Sequence, residues 1–412
     1  MTVRTDILFV HQNFPAQYKP LATKLAQQPD FRVFAIGSGT NTPPDGVQLQ
    51  HYAMPRQQPS TAHPFAQRLD IESRRGEQVM YAANKLKAGG ISPRIIFVHP
   101  GWGDAIPLRE IFPDARLVVY CEFYYRTAGA DVGFDREFKS FGVDGLVRIN
   151  LRNASNLLAL VDADVAVAPT PWQRNLFPTA FQDKIHVIHD GIDTDRLRPQ
   201  PATFTHPAVG QTLRTGDEVV TFVARNLEPY RGFHIFMRAL PRILAARPQA
   251  RVCIVGGSSV SYGSRPPEGE NWKDFMLAEM GHQLDLSRVH FLGNLSYNQY
   301  LALMRVSRVH TYLTYPFVLS WSLIEALSLG CAVVASDTPP VRDAITDGDN
   351  GLLVPFFETE ALAERVISVL EDPDRYASIR QRARQDAITR YDFERVIFDR
   401  HLALIETLRL AT

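Results

Sequence analysis

The chain predicts two parallel α/β domains, each a doubly wound sheet covered by helices, on three observations. Its 412 residues exceed the about 100 to 200 of a usual domain. Short runs rich in Val, Ile and Phe alternate with longer stretches of helical period. The runs are apolar throughout instead of alternating with polar residues, as strands buried on both faces require.

In the first half the apolar runs predict strands at 7–10, 31–36, 94–98, 117–121, 165–168 and 185–188, with helices at 17–27, 65–87 and 146–160 between them. The segment HDGIDTDRLRPQPATFTHP then brings Gly191, Pro199, Pro201 and Pro207 close together, and these residues break regular elements, so the interdomain linker is expected there. The pattern restarts with strands expected at 219–224, 251–255, 289–291, 309–312 and 332–335 and helices at 233–246, 297–306 and 320–329. The end is helical over 362–370, 375–390 and 393–408. The domains are expected at 1–198 and 199–390. In such sheets ligands bind beyond the carboxyl ends of strands, so the gap between domains is the default site.

Composition narrows the function classes. With 45% hydrophobic and 21% charged residues the chain folds by burial, which excludes fibrous and largely disordered classes. Lys plus Arg number 44 and Asp plus Glu 44, so no net field draws it to nucleic acid. Cys121, Cys253 and Cys331 flank apolar runs and are odd in number, which reads as reduced core thiols and a cytoplasmic setting. The apolar stretch at 7–10 is too short for a signal peptide, and no run reaches the about 20 residues of a membrane span. Helix 65–87 mixes Arg68, Arg74, Arg75, Lys85 and Lys87 with Asp70, Glu72 and Glu77. That mixture reads as a solvated face, compatible with peripheral contact at the inner membrane face.

Two stretches carry the chemistry. In ARNLEPYRG, Arg225 ends a strand and Arg231 opens a helix, so both guanidinium groups can converge on one diphosphate and stabilise its departure without a metal. In TYPFVLSWSLIEALSLGCAVVASDTPP a helix starts near Ser320, and the amides of Ser320, Trp321 and Ser322 are expected to face an anion. Glu325, one and a half turns on, can accept hydrogen bonds from vicinal hydroxyls such as a ribose pair. The same residues also fit a bland reading, with arginines paired to surface acids such as Glu228 and a capped helix bearing a solvated carboxylate.

Taken together, ARNLEPYRG and the later segment ending IEALSLGCAVVAS resemble the family 4 retaining glycosyltransferases of the GT-B fold, and the first half resembles the family's N-terminal variant opening with HQNFP. The resemblance implies two Rossmann-like domains facing across a cleft, with residues 391–412 forming a helix that returns to the first. It also implies transfer of a sugar, with retention, from a nucleotide diphosphate sugar to a hydroxyl on a glycan, lipid-linked or protein acceptor, without a cofactor. Arg231 stands for the family's Lys and Glu325 for its second Glu. Phe317 stands where the first Glu should fall, which leaves donor identity open. Ser320 and Trp321, preceded by Leu319, replace a Gly-Leu pair whose amides meet the donor. Ala16 replaces a frequent Gly, with the amides of Asn13 to Ala16 expected near the diphosphate. Glu122 stands where many members place a His beside the reacting centre.

On the acceptor side, His11 and His99 end strands, where a His is either a catalyst or a hydrogen-bonded structural residue. Gly101 and Gly103 predict a tight turn that brings Trp102 close, and Phe123, Tyr124 and Tyr125 could stack on a sugar or pack in the core. Two D-x-D triplets, Asp162 with Asp164 and Asp193 with Asp195, lie away from the arginines, so no catalytic metal is expected. VGGSSVSYG lacks the Lys of a phosphate loop, and HDGID reads as turn chemistry at Asp190 and Gly191. Three functions remain open on these residues: transfer, nucleotide-sugar binding without transfer, and a hydrolase or phosphorylase on the same fold.

Overall fold

The computed structural model describes residues 4–54, 60–138 and 141–410. The chain forms two compact units. The first comprises Met1–Thr127, Phe141–Gly191 and Phe393–Thr412, and the second Ala128–Ser140 and Ile192–Asp392. The break thus falls at residue 191, not 198, and a segment expected within the first domain, from residue 128, belongs to the second unit.

The first unit holds seven strands: β1 (Thr5–Val10), β2 (Phe31–Gly37), β3 (Val47–His51), β4 (Ile95–Val98), β5 (Arg116–Tyr120), β6 (Val165–Ala168) and β7 (Ile185–Val187). All are parallel, in the order β3-β2-β1-β4-β5-β6-β7. The order reverses between β1 and β4, and their register sets Val10 opposite Val98, so the next residues, His11 and His99, leave the sheet side by side. The expected helix 146–160 is two helices, Val143–Leu151 and Ala154–Asp162. They separate at Asn153, whose amide side chain exchanges hydrogen bonds with the Tyr125 backbone. The C-terminal helix Phe398–Leu410 lays Phe398, Ile405 and Leu408 into the same core as Phe9 and Phe97.

The second unit opens with an antiparallel hairpin inside the expected linker, β8 (Thr203–Thr205) and β9 (Thr212–Arg214). Each strand of it buries one apolar side chain, Phe204 and Leu213, against Val219 and Cys253. Six parallel strands follow: β10 (Val219–Asn226), β11 (Arg251–Gly257), β12 (Val289–Gly293), β13 (Val309–Tyr312), β14 (Ala332–Ser336) and β15 (Leu352–Val354). Their order is β12-β11-β10-β13-β14-β15, so the switch point lies between β10 and β13. Both sequence stretches that carry cations and the helix start leave the sheet at this point. The edge strands β3 and β15 were not expected, because five and three residues give too little periodicity to read. All three cysteines are buried and free.

Candidate active site

The switch point of the second unit opens into a pocket of about 740 Å³, lined among others by Arg225, Arg231, Tyr262, Tyr312, Trp321 and Glu325. Gly232 makes the approach of Arg231 possible. Its φ is +68°, and a Cβ there would lie 2.3 Å from the Leu313 side chain, so the chain turns from β10 into helix Phe233–Ala246 only with glycine. Arg231 is buried, with 8% of its surface exposed. Its Nη1 donates to Thr314 Oγ1 at 2.9 Å and to the Val318 carbonyl at 3.0 Å. The Tyr262 and Phe317 rings stand 5.3 and 5.8 Å from its guanidinium. Among the described residues no carboxylate forms an ion pair with Arg231 or with the exposed Arg225. The expected competitor, Glu228, is committed elsewhere: its carboxylate accepts the amides of Ser261, Tyr262 and Gly263. Burial raises the Glu228 carboxyl above its ordinary value, against those bonds and the nearby charge of Arg231. The loop VGGSSVSYG is thereby more than a turn, because it delivers Tyr262 to the pocket wall.

Three expectations for the donor residues need correction. The Ser320 amide does not face the pocket as an anion donor: it donates to the Tyr312 hydroxyl at 2.9 Å. The Ser322 amide donates to Ser320 Oγ at 3.3 Å, the ordinary cap of helix Trp321–Ser328. Leu319 lies in the hydrophobic cluster with Leu323 and Leu327 and packs instead of lining. Phe317 is buried behind the pocket wall, its ring 4.8 Å from Tyr262 and 5.5 Å from Tyr230. Trp321 stands half exposed on the pocket lining. Glu325 lines it as expected, and Tyr297 donates to its Oε1 at 2.7 Å. Burial raises the Glu325 carboxyl above its ordinary value, with that hydrogen bond opposing.

The first unit gathers four of its expected residues at its own switch point. His99 accepts the Gly101 amide at Nδ1, 3.2 Å, so its Nε2 carries the proton and donates to Glu122 at 3.1 Å. Its ring stacks on Trp102 at 4.3 Å, and His11 meets both rings edge-on at 5.4 and 5.2 Å. Burial, then His99 and Arg75, pushes His11 down to about 2, so it remains a neutral acceptor. It receives the Asn13 amide at Nδ1, 2.9 Å, and the Phe14 amide at its carbonyl, 3.0 Å. Pro15 has no amide hydrogen, so the expected row of donors from Asn13 to Ala16 is largely consumed within its own loop. Ala16 adopts φ +41°, the left-handed region a glycine would enter freely.

Gly103, at φ +91°, admits the Glu72 backbone, which a Cβ would meet at 2.1 Å. Behind the turn, Asp104 is fully buried and accepts the Tyr52 hydroxyl at 3.0 Å. Burial pushes it up to about 6 against Arg75, Tyr52 and His99. Nothing in the sequence pattern marked Asp104 or Tyr52, which are far apart in the chain.

Tyr124 and Tyr125 pack elsewhere: Tyr124 on Phe177 at 5.5 Å, Tyr125 on Phe123 at 5.3 Å and under the Arg152 guanidinium. Asp190 accepts the Tyr120 hydroxyl at 2.9 Å, and Gly191 turns at φ +81°. Asp164 is occupied by Arg109 and Arg116. Among the described residues no group of three or more His, Cys, Asp or Glu could hold a metal ion, and no helix is long and apolar enough to cross a membrane.

Two parallel-sheet Rossmann-like units with cations and a helix start at one switch point define a GT-B glycosyltransferase fold. Residues 29–197 match the glycosyl transferase family 4 group and residues 209–386 match the glycosyl transferases group 1, so each half of the chain is similar to a glycosyltransferase family. The first match begins beyond HQNFP. The chain is 30% identical over 210 residues to the phosphatidyl-myo-inositol mannosyltransferase of Mycolicibacterium smegmatis, covering 50% of this chain and 48% of that protein. It is 29% identical over 238 residues to the D-inositol 3-phosphate glycosyltransferase of Rhodococcus jostii, covering 57% and 49%. The chain thus spans about half the length of the curated relatives it matches. Its fold is similar to sucrose-phosphate synthase from Thermosynechococcus elongatus, with TM-score 0.72 and 17% identity over 99% of this chain and 100% of that one. It is also similar to Anabaena HepE in complex with UDP-glucose, with TM-score 0.66 and 18% identity over 98% and 100%.

Proposed function

We propose that the chain transfers a sugar from a nucleotide diphosphate sugar to a hydroxyl acceptor of a glycan, lipid or protein, with retention at the anomeric carbon. One observation carries the reading: two arginines that form no ion pair with a carboxylate among the described residues line one pocket of the second unit. A diphosphate supplies the missing anion. Arg225 and Arg231 would hold it and neutralise the charge that develops as it leaves, Glu325 would accept from the ribose, and Trp321 would border the bound nucleotide.

The bond between the anomeric carbon and the diphosphate oxygen breaks while the acceptor oxygen bonds to the same face of that carbon. The acceptor proton passes to the departing phosphate. Glu122, held by His99, would position the acceptor, with Trp102 offering an apolar face. The HepE complex with UDP-glucose and the inositol-linked acceptors in the relatives' names support these substrate classes. The reading requires no cofactor or metal. It is compatible with a cytoplasmic setting and a membrane-face acceptor.

A second reading, binding without transfer, is favoured by Phe317, whose ring cannot accept from a sugar hydroxyl. The test is a panel of nucleotide sugars incubated with acceptor extracts. Nucleoside diphosphate released together with a glycosylated product supports transfer. Release without acceptor indicates hydrolysis, and binding without release supports the second reading.

A further inference from the structure

Tyr312 ends β13 in the wall of the pocket, with 3% of its surface exposed. Its hydroxyl has one hydrogen to give and two lone pairs to receive. One receiving position takes the Ser320 amide at 2.9 Å, and the positively charged Arg231 Nη1, whose own hydrogens go to Thr314 and Val318, stands 3.5 Å away. The positive ends of those two groups turn the Tyr312 hydrogen away from them. Among the described residues no acceptor takes it. A buried hydroxyl hydrogen without an acceptor is costly, yet this one adjoins open volume shared with Arg225 and Arg231.

We propose that Tyr312 is a third donor to the diphosphate, acting directly on a phosphate oxygen and not only by holding its neighbours. This deepens the proposed function and rests on it: the anion that the two arginines attract is the acceptor the Tyr312 hydrogen lacks. The helix start then acts through Tyr312, since the Ser320 amide polarises the hydroxyl instead of reaching the ligand, and donors in series strengthen one another. Burial raises the Tyr312 phenol above its ordinary value, with Arg231 and the Ser320 amide opposing, so the group keeps its hydrogen across the neutral range.

The test is calorimetric titration of wild type, Tyr312→Phe and Arg225→Ala with inorganic pyrophosphate and with uridine, guanosine and adenosine diphosphates, at several salt concentrations. Tyr312→Phe should weaken every ligand that wild type binds by about ten-fold, the effect of one hydrogen bond to a charged group. It should leave the salt dependence unchanged, because both guanidinium charges remain, whereas Arg225→Ala should flatten it. Equal affinity in wild type and Tyr312→Phe overturns the proposal. A flattened salt dependence in Tyr312→Phe also overturns it, since the hydroxyl would then act only by placing Arg231. If wild type binds none of the four ligands, the diphosphate reading of the pocket itself falls, and this inference with it. Should Tyr312→Phe not accumulate folded, isotope-labelled tyrosine in wild type reports instead: the Tyr312 ring carbon bearing the hydroxyl shifts on adding pyrophosphate if the hydrogen is donated, and a constant resonance counts against it.

Discussion

The two units present the same sheet topology at their switch points and fill it with opposite chemistry. At the second unit's switch point two cations without an ion-pair partner among the described residues face open volume, which on the proposed function an anion would fill. At the first unit's, polar groups partner one another: Gly101 fixes the His99 tautomer, His99 holds Glu122, and Tyr52 reaches Oδ1 of Asp104, whose other oxygen has no hydrogen-bond partner among the described residues. On the proposed function, one switch point would bind by charge and the other would orient. A shared fold therefore fixes where a site lies but not what it does.

The sharpest way to break this contrast is to remove the charge. Arg225→Ala and Arg231→Ala should each lower turnover by on the order of 10²-fold, as for loss of one preorganised donor. Product formation with a matched donor checks this, and undiminished transfer in both would end the distinction. On the other side, Glu122→Gln should lower transfer by about ten-fold, one charge-assisted hydrogen bond's contribution, while leaving nucleoside diphosphate affinity unchanged. Weaker nucleotide binding in that variant would mean the first unit also serves the diphosphate.

Glu325→Gln sharpens the contrast within the second unit. Nucleoside diphosphate affinity should fall several-fold, since a neutral amide accepts a ribose hydroxyl less strongly. The melting temperature of the unliganded protein should not fall, because burial has raised this carboxyl and its ionised form costs folding free energy. Thermal unfolding with and without ligand measures both.

The smallest effect concerns Asp104. Raised to about 6, it binds its proton more tightly folded than unfolded, where a carboxyl titrates near about 4. The folded state thus carries more bound protons between those values, and this group's contribution to stability declines as pH rises through that window and then levels off. His11, held low, contributes in the opposite sense, losing stability as pH falls through the ordinary imidazole range. The difference between wild type and Asp104→Asn isolates the carboxyl. It should change by ~2 kcal/mol across the window in denaturant titrations, and a pH-independent difference would remove the raised carboxyl from the account.

The legible part of this protein was the part written locally. Continuous apolar runs gave the inner strands of both sheets, and the spacing of Arg225, Arg231 and Glu325 around strand ends marked residues that do share one pocket. What escaped depends on partners distant in the chain. The Ser320 amide looks available because a helix start leaves amides unpaired, but its acceptor, the Tyr312 hydroxyl, is set by how the loop after β13 brings Ser320 back to the strand's end. Leu319, expected beside Ser320 among the donor-binding residues, is instead turned into the core by the capped helix. Likewise Tyr230 and Tyr315, which flank the Arg231 region, are tied to Asp131 and Asp135 at 2.8 and 2.6 Å, far earlier in the sequence. A Glu between two arginines, Glu228, was a signal that could have been used, since a buried carboxylate beside cations must bind something else strongly to leave them open.

The most direct measurement is the thermal stability of wild type, Arg225→Ala and Arg231→Ala in the presence of nucleoside diphosphates and of the same nucleosides without phosphate. An anion seat predicts stabilisation of wild type by at least one diphosphate, about 2.7 kcal/mol at 100 times its dissociation constant, little stabilisation by the nucleoside, and loss of the difference in both variants. Equal stabilisation of all three proteins by the diphosphate, or none of wild type, would contradict it.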